Sequence, residues 1–494
     1  VASRGLGDVY KRQSINTPFK TIAKAASVMS SGDICYIRQG RYHETVTINN
    51  LDGASGSAII FTNYNNERVI MDGTIPITSA WTQVGSSNIW RTKLSSDIWQ
   101  LFLDWEEQVM ARWPNAKFSD NTIWDNDNYW AKGTIDDDEN AYSNGTIIDD
   151  PYTNSAGTSI DLNAKSFDLD ESNKQAIAIL NLGSFRTWSR LVTSHSGNTF
   201  NYATVPNWKT KHHYYFLEGR REFLDQAGEW WYDTYSNADS LYYFANNGVD
   251  PNKLNFRGKV QSYSFTITGS EYVQIKNLEF FGTTVYFSNG DNCVVYGCNF
   301  MYPSCSKRML RTVDTEPEMT KFASGSTGSA IRNCAFRNTD GTALEMWGGT
   351  DTVDNCYFTN IDYSVADNSS IMLTMRMNGT ANVFRKNTVH RTGASATVMV
   401  GDAGLVEYNN LYDTGHLQSD GSMIQFMEDQ QDGAICRYNW LHDTEKYGAR
   451  FDHSGTADGT NGTMHHNLAW NCESGGIMVK GDNHKVYNLS LIHI

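Results

Sequence analysis

Carboxylates, histidines and cations gather in the last third of the chain in a pattern that suits acid–base chemistry. Asp452 lies in Gly448-Ala-Arg-Phe-Asp-His-Ser454, a strand-like run, and Lys480 follows one repeat later. Asp420 and Glu428 flank the run 423–427, which has Gln425 at its centre. Cleaving a glycosidic bond needs one carboxyl group to protonate the leaving oxygen and another to act as nucleophile or base. The two stand about 5–5.5 Å apart for retention and about 6.5–9.5 Å apart for inversion. Asp452 is the expected nucleophile or base, held ionised by Lys480, and Asp420 or Glu428 is the expected acid. His453 and His416 are expected as proton relays or hydroxyl partners. Each has a plainer reading: an Asp–Lys surface pair, an Asp-Gly turn, a histidine that only packs.

These residues need a scaffold, and a repeat supplies it. Short β-branched and aromatic runs recur with an Asn near the end of each, as in Ile331-Arg-Asn-Cys-Ala-Phe336, Val353-Asp-Asn-Cys-Tyr-Phe358 and Val406-Glu-Tyr-Asn-Asn-Leu411. Asn333, Asn355, Asn387, Asn409, Asn439, Asn467 and Asn488 follow one another at 21 to 32 residues. A basal period near 21–22 with loop insertions predicts an all-β parallel β-helix of three strands per coil, with one Asn per coil stacked in a ladder. Cys298, Cys334 and Cys356 share one place in their coils and are expected as buried free thiols. Residues 17–29 carry a Thr N-cap, an early Pro and apolar residues at helical spacing, which predicts a capping helix with Thr17 at its N-cap.

The period fades between 101 and 256, which predicts an inserted β-rich subdomain between the first coils (14–100) and the main helix (257–489). Residues 1–13 and 490–494 read as non-native assembly scars. In a β-helix, outward residues of successive coils form rows about 4.8 Å apart. Aligning the strands gives an outward row Glu345, Arg376, Met399, Gln425, Asp452 and Lys480, with Trp347 and Arg450 in the parallel row. Glu218 is expected to reach this face from the insertion.

The net charge of −15 speaks against nucleic acid and anionic membrane as partners, and no apolar run is long enough to span a bilayer. The 14 Trp and 26 Tyr suit sugar stacking as well as core packing. The eight cysteines show no zinc spacing. No cofactor is expected, and calcium at the acidic runs 136–139 and 149–150 would be structural only.

Two segments carry a family resemblance. Gln100-Leu-Phe-Leu-Asp-Trp-Glu-Glu-Gln-Val-Met-Ala-Arg-Trp-Pro-Asn115 resembles the segment that introduces the insertion in β-helix glycan enzymes. Phe223-Leu-Asp-Gln-Ala-Gly-Glu-Trp-Trp-Tyr-Asp233 is similar to their LD-x-PGEW-Y-x-D segment, with Ala227 in place of the usual Pro. With the cap and the coils, the chain resembles right-handed parallel β-helix glycoside hydrolases of families 141 (fucosidase and xylanase) and 174 (endo-fucanase). The resemblance implies a secreted or periplasmic, monomeric hydrolase of a marine or algal polysaccharide. The cations Arg376, Arg450 and Lys480 point to a sulfated fucan. A polysaccharide lyase using Lys480 or Arg450 as base, and a non-catalytic glycan adhesin, are the competing readings. Glu229, inside the second segment, reads as structural.

Overall fold

The computed structural model describes residues 15–134, 145–183, 185–205, 213–235, 240–367, 372–453 and 459–492. Among them, three long parallel sheets of 11, 11 and 10 strands run side by side. Each coil passes from the first sheet to the second to the third, as in Ala330–Arg332, Ala335–Arg337 and Leu344–Met346. The next coil lies in register upon it, with Ile331 beside Val353, Phe336 beside Phe358 and Glu345 beside Arg376. This is the predicted parallel β-helix.

The alternation of inward apolar and outward polar residues explains why these short runs become strands rather than helices. Inward residues form columns. The rings of Phe280, Phe300, Phe336 and Phe358 stack at centroid spacings of 4.5, 4.6 and 5.0 Å, each ring covering the apolar face its neighbour could not bury alone.

The asparagines form two columns where the spacing predicted one. Asn333 and Asn355 occupy the left-handed turn position, at φ 53° and 55°. Asn387, Asn409, Asn439 and Asn467 stand one residue later and are buried. Their column continues that of Cys298, Cys334 and Cys356, which are free and buried. Cys356 N donates to Asn387 Oδ1 (2.8 Å), Asn387 N to Asn409 Oδ1 (2.9 Å), Asn409 N to Asn439 Oδ1 (3.0 Å) and Asn439 N to Asn467 Oδ1 (3.0 Å). Asn suits both places for different reasons, tolerance of the left-handed region and satisfaction of a buried amide, so spacing alone merges them.

The capping helix is shorter than predicted, Ile22–Ala26, and its N-cap is Thr21 rather than Thr17. Glu44 accepts from Ile22 N and Ala23 N, which takes up two of the amides a helix start leaves open.

The chain leaves the second sheet after Val69–Asp72 and returns to the third at Tyr263–Thr268. The excursion is thus wider than 101–256, because Thr74–Pro76 and Ile89–Lys93 pair with strands of the insertion. Its own core packs on the loops that follow the second sheet, with Trp130, Ile179 and Phe216 against Tyr363, Val365 and Leu417. No helix among the described residues is long and apolar enough to cross a membrane.

Replacing Asn439 by Leu leaves the Asn409 amide without its acceptor and removes the bonds that Asn439 Nδ2 gives to the Val406 carbonyl and to Asn467 Oδ1. At about 1–3 kcal/mol for a buried group left unpaired, urea unfolding of Asn439→Leu should show a loss of at least ~2 kcal/mol. An unchanged midpoint would contradict the column's role.

Candidate active site

The outward row of the third sheet is a lattice of neutralised charge, and its register differs from the sequence alignment. Gln425 lies beside Arg450, and Asp452 lies beside Met427. The row is therefore Glu345, Arg376, Met399, Gln425 and Arg450, with Asp452 two residues further along its strand. The strand Tyr447–Asp452 pairs from its first residue, Tyr447 beside Ser422. Alignment of the strands on the Asn turn that follows each places Asp452 two residues out, because the loops between strand and turn differ in length.

Asp452 Oδ1 receives Lys480 Nζ at 2.6 Å, and Oδ2 receives Arg450 Nη2 at 2.7 Å and Gln425 Nε2 at 3.0 Å. Arg450 Nη1 turns to Asp420 Oδ1 at 2.6 Å. Further along, Glu345 takes Lys321 Nζ (2.7 Å) and Trp347 Nε1 (2.9 Å), with Arg376 Nη1 at 3.6 Å. Glu345, Arg376, Gln425, Arg450 and Asp452 are all buried. The structure thus gathers Asp452, Asp420, Arg450, Gln425 and Lys480 in one cluster and Glu345, Trp347 and Arg376 in another. Glu428 opens the short 3-10 turn Glu428–Gln431 beyond the Gln425 strand, and His453 follows Asp452, half-buried. The acidic run 136–139 lies outside the described residues. No group of three or more His, Cys, Asp or Glu among the described residues is placed to hold a metal ion.

Two predicted residues lie elsewhere. His416 bonds Asp413 Oδ1 at 3.0 Å and meets the edge of Trp124 from the insertion. Glu218 ends the insertion strand His213–Glu218 and is buried there rather than on the outward face of the third sheet. Its Oε2 takes Arg308 Nε at 2.6 Å, and Arg308 Nη1 takes Asp340 Oδ2 at 2.6 Å. Burial alone would raise the Asp340 carboxyl, but the Arg308 guanidinium outweighs it and holds the group below its ordinary range.

Beside that network, at the junction of insertion and helix, lies a cavity of about 440 Å³. Glu106, Glu107 and Glu229 line it, together with Tyr302, Tyr363 and Trp124. The positions follow from local structure. Leu101–Leu103 and Glu106–Glu107 form a hairpin whose turn residues Asp104 and Trp105 both have positive φ, 48° and 74°, the pattern of a tight two-residue turn. Val109 then pairs with Glu229 in parallel, so Glu107 stands only two residues, at most ~7 Å of chain, from Glu229's cross-strand neighbour.

Glu107 Oε1 receives the Tyr363 hydroxyl at 2.5 Å and Gln100 Nε2 at 2.7 Å, while Oε2 is buried with no partner among the described residues. Burial pushes its carboxyl up to about 8, against those two hydrogen bonds. Glu229 Oε2 accepts from the amides of Asp225 and Gln226, both at 3.1 Å, and its Oε1 is likewise buried and unpaired among the described residues. Burial first, then the charge of Asp225, raises Glu229 to about 8. Glu106 is exposed, and its Oε2 receives the Tyr302 hydroxyl at 3.3 Å. The sequence reading missed Glu107 and gave Glu229 to structure. The available signal was the adjacent pair Glu106-Glu107 inside the segment 100–115 that carries the family resemblance.

A family model described as "Right handed beta helix region" matches residues 322–491. Among solved structures, the chain is similar to one titled "Glycoside hydrolase", at TM-score 0.67 and 12% identity, over 97% of this chain and 94% of that one. A structure titled "The complex structure of XylC with xylose" aligns at TM-score 0.46 and 11% identity, over 96% and 83%. Among curated proteins, the "Uncharacterized protein YwoF" of Bacillus subtilis (strain 168) is 41% identical over 56 residues, which is 11% of this chain and 12% of that protein. The chain is thus a right-handed parallel β-helix protein. At 12% identity, the first of these structures speaks for fold and not for reaction.

Asp452→Asn leaves Arg450 and Lys480 facing a neutral group. Breaking a buried pair costs about 3–5 kcal/mol, and Lys480 here is partly solvated, so unfolding in urea should show a loss of about 2–3 kcal/mol. Equal midpoints would mean that the lattice contributes nothing to stability.

Proposed function

We propose that the chain is a glycoside hydrolase whose reaction takes place in the junction cavity, with Glu107 as the general acid. The observation that carries this reading is the pair of carboxyls, Glu107 and Glu229, whose residues line the same cavity, each raised to about 8 and each with one buried oxygen unpaired among the described residues. Carboxyl groups kept protonated at neutral pH are what proton donation to a leaving glycosidic oxygen requires. The Tyr363 hydroxyl occupies Glu107 Oε1, which leaves Oε2 to carry the proton. Exposed Glu106, oriented by Tyr302, supplies the second carboxyl as nucleophile or base, and protonated Glu229 donates a hydrogen bond to the sugar.

Arg376, Arg450 and Lys480 each face a carboxylate of the protein, so their support for a sulfated fucan is reduced. Lys117, which lines the cavity and has no ion pair among the described residues, is the cation offered to a sulfate or uronate group. The lyase reading drew its base from Lys480 or Arg450. Their engagement with Asp452 and Asp420 favours the hydrolase.

The pH dependence follows from the shifts. The neutral forms of Glu107 and Glu229 are favoured in the folded protein, so their contribution to stability is complete below the ordinary carboxyl range. It is lost as pH rises towards about 8. Activity needs the same protonated form of Glu107. On a panel of fucan, alginate, carrageenan and xylan, kcat/KM for the substrate cleaved should fall as pH passes about 8, with reducing ends released and no absorbance from a new C=C bond. Glu107→Gln should lose about 10²–10⁴ in rate. Full activity in Glu107→Gln, or an absorbing product, would sink the reading.

A further inference from the structure

We infer that the cavity receives the end of a glycan chain, so that cleavage is exo and releases a short terminal unit. This rests on the hydrolase reading above and adds the topology of the substrate.

The cavity wall supplied by the helix is a row of left-handed residues at the ends of second-sheet strands. Met301 pairs with Arg337 and Arg337 with Thr359, so Tyr302, Asn338 and Asn360 stand on three successive rungs, with φ of 55°, 60° and 56°. All three line the cavity. Two steps of about 4.8 Å give it a length near 10 Å along the helix axis, room for about one or two sugar rings.

Both axial ends of this span are crossed by the insertion. Thr359 pairs with His390, so the next rung of the row is Arg391, and Arg391 Nη1 donates to Asn121 Oδ1 at 2.8 Å. The segment that crosses there also holds to the helix through Asn126 Nδ2 on Leu417 O (3.1 Å) and through Phe118 edge-on to Tyr363 at 4.9 Å. At the other end, Phe281 is the rung partner of Met301, and the Trp105 ring meets Phe281 edge-on at 5.1 Å.

Trp105 is itself clamped. The Arg41 and Arg257 guanidinium groups lie 3.7 and 4.9 Å from its ring, and both are tied to Asp72 Oδ2, at 3.0 and 2.7 Å. A tryptophan with φ of 74° is uncommon, and this clamp fixes it across the row. A polymer lying along the helix axis would therefore meet Trp105 on one side of the carboxyls and the Asn121–Arg391 bridge on the other. A chain end entering from solvent meets neither.

The test uses the full chain and the polysaccharide of the panel that it cleaves, following viscosity and product size through the first few per cent of linkages. The expected result is one short product from the outset with viscosity nearly constant. Arg391→Ala, which removes the bridge to Asn121 and an ion pair with Asp413, should raise the share of internal products severalfold while leaving the circular dichroism spectrum unchanged. A ladder of oligosaccharides with an early collapse in viscosity from the unaltered protein would overturn the inference alone. Release of no reducing ends from any glycan would overturn the hydrolase reading and this inference together.

Discussion

The molecule depends on rungs stacking in register. A three-strand coil of about 22 residues has one apolar side and cannot bury it without a neighbour, so every inward column must be compatible from coil to coil. Stacked phenylalanines meet that demand in the core, and the cysteine–asparagine column meets it at the turn. The same register fixes the outward residues. Once Phe336 sits on Phe358, Asn338 sits on Asn360, and the wall of the cavity is laid down by the core behind it.

The register also places charged residues next to one another every ~4.8 Å, and on the third sheet the protein resolves this by pairing them. Lys321, Glu345 and Arg376 pair in one cluster and Arg450, Asp452 and Lys480 in another, mostly withdrawn from solvent. The junction differs. There the insertion buries Glu107 and Glu229 beside a hydroxyl, amides and aromatic rings, and neither carboxyl forms an ion pair among the described residues. Desolvation dominates, and both carboxyls rise to about 8. Paired charges hold the helix together. Carboxyls buried without an ion pair are the ones left with chemistry to do.

The coil period, the capping helix and the existence of an insertion were legible in the sequence, because each rests on local pattern. Column membership was less so. Asn333 and Asn387 look alike in sequence, yet one satisfies backbone conformation and the other a buried amide. The two-residue displacement of Asp452 arose in the same way, since loops of unequal length separate its strand from the turn used to align it. The cavity was least legible. Glu107 and Glu229 lie 122 residues apart in the chain, and their shared environment exists only because Val109 pairs with Glu229 and the insertion folds onto Tyr363. The two segments that carried the family resemblance do contain both glutamates. Resemblance enclosed both without singling out Glu107 and left Glu229 as structural, and burial suggests a role in chemistry for each.

The central claim is that sugar chemistry belongs to the junction cavity and not to the charged row of the third sheet. A crystal structure of Glu107→Gln soaked with an oligosaccharide of the cleaved glycan tests it most directly. Sugar density should then lie over Tyr302 and Asn338, in contact with Glu106, Glu229 and the introduced amide. Density lying along Gln425, Arg450 and Asp452 instead, with the cavity vacant, would contradict the claim.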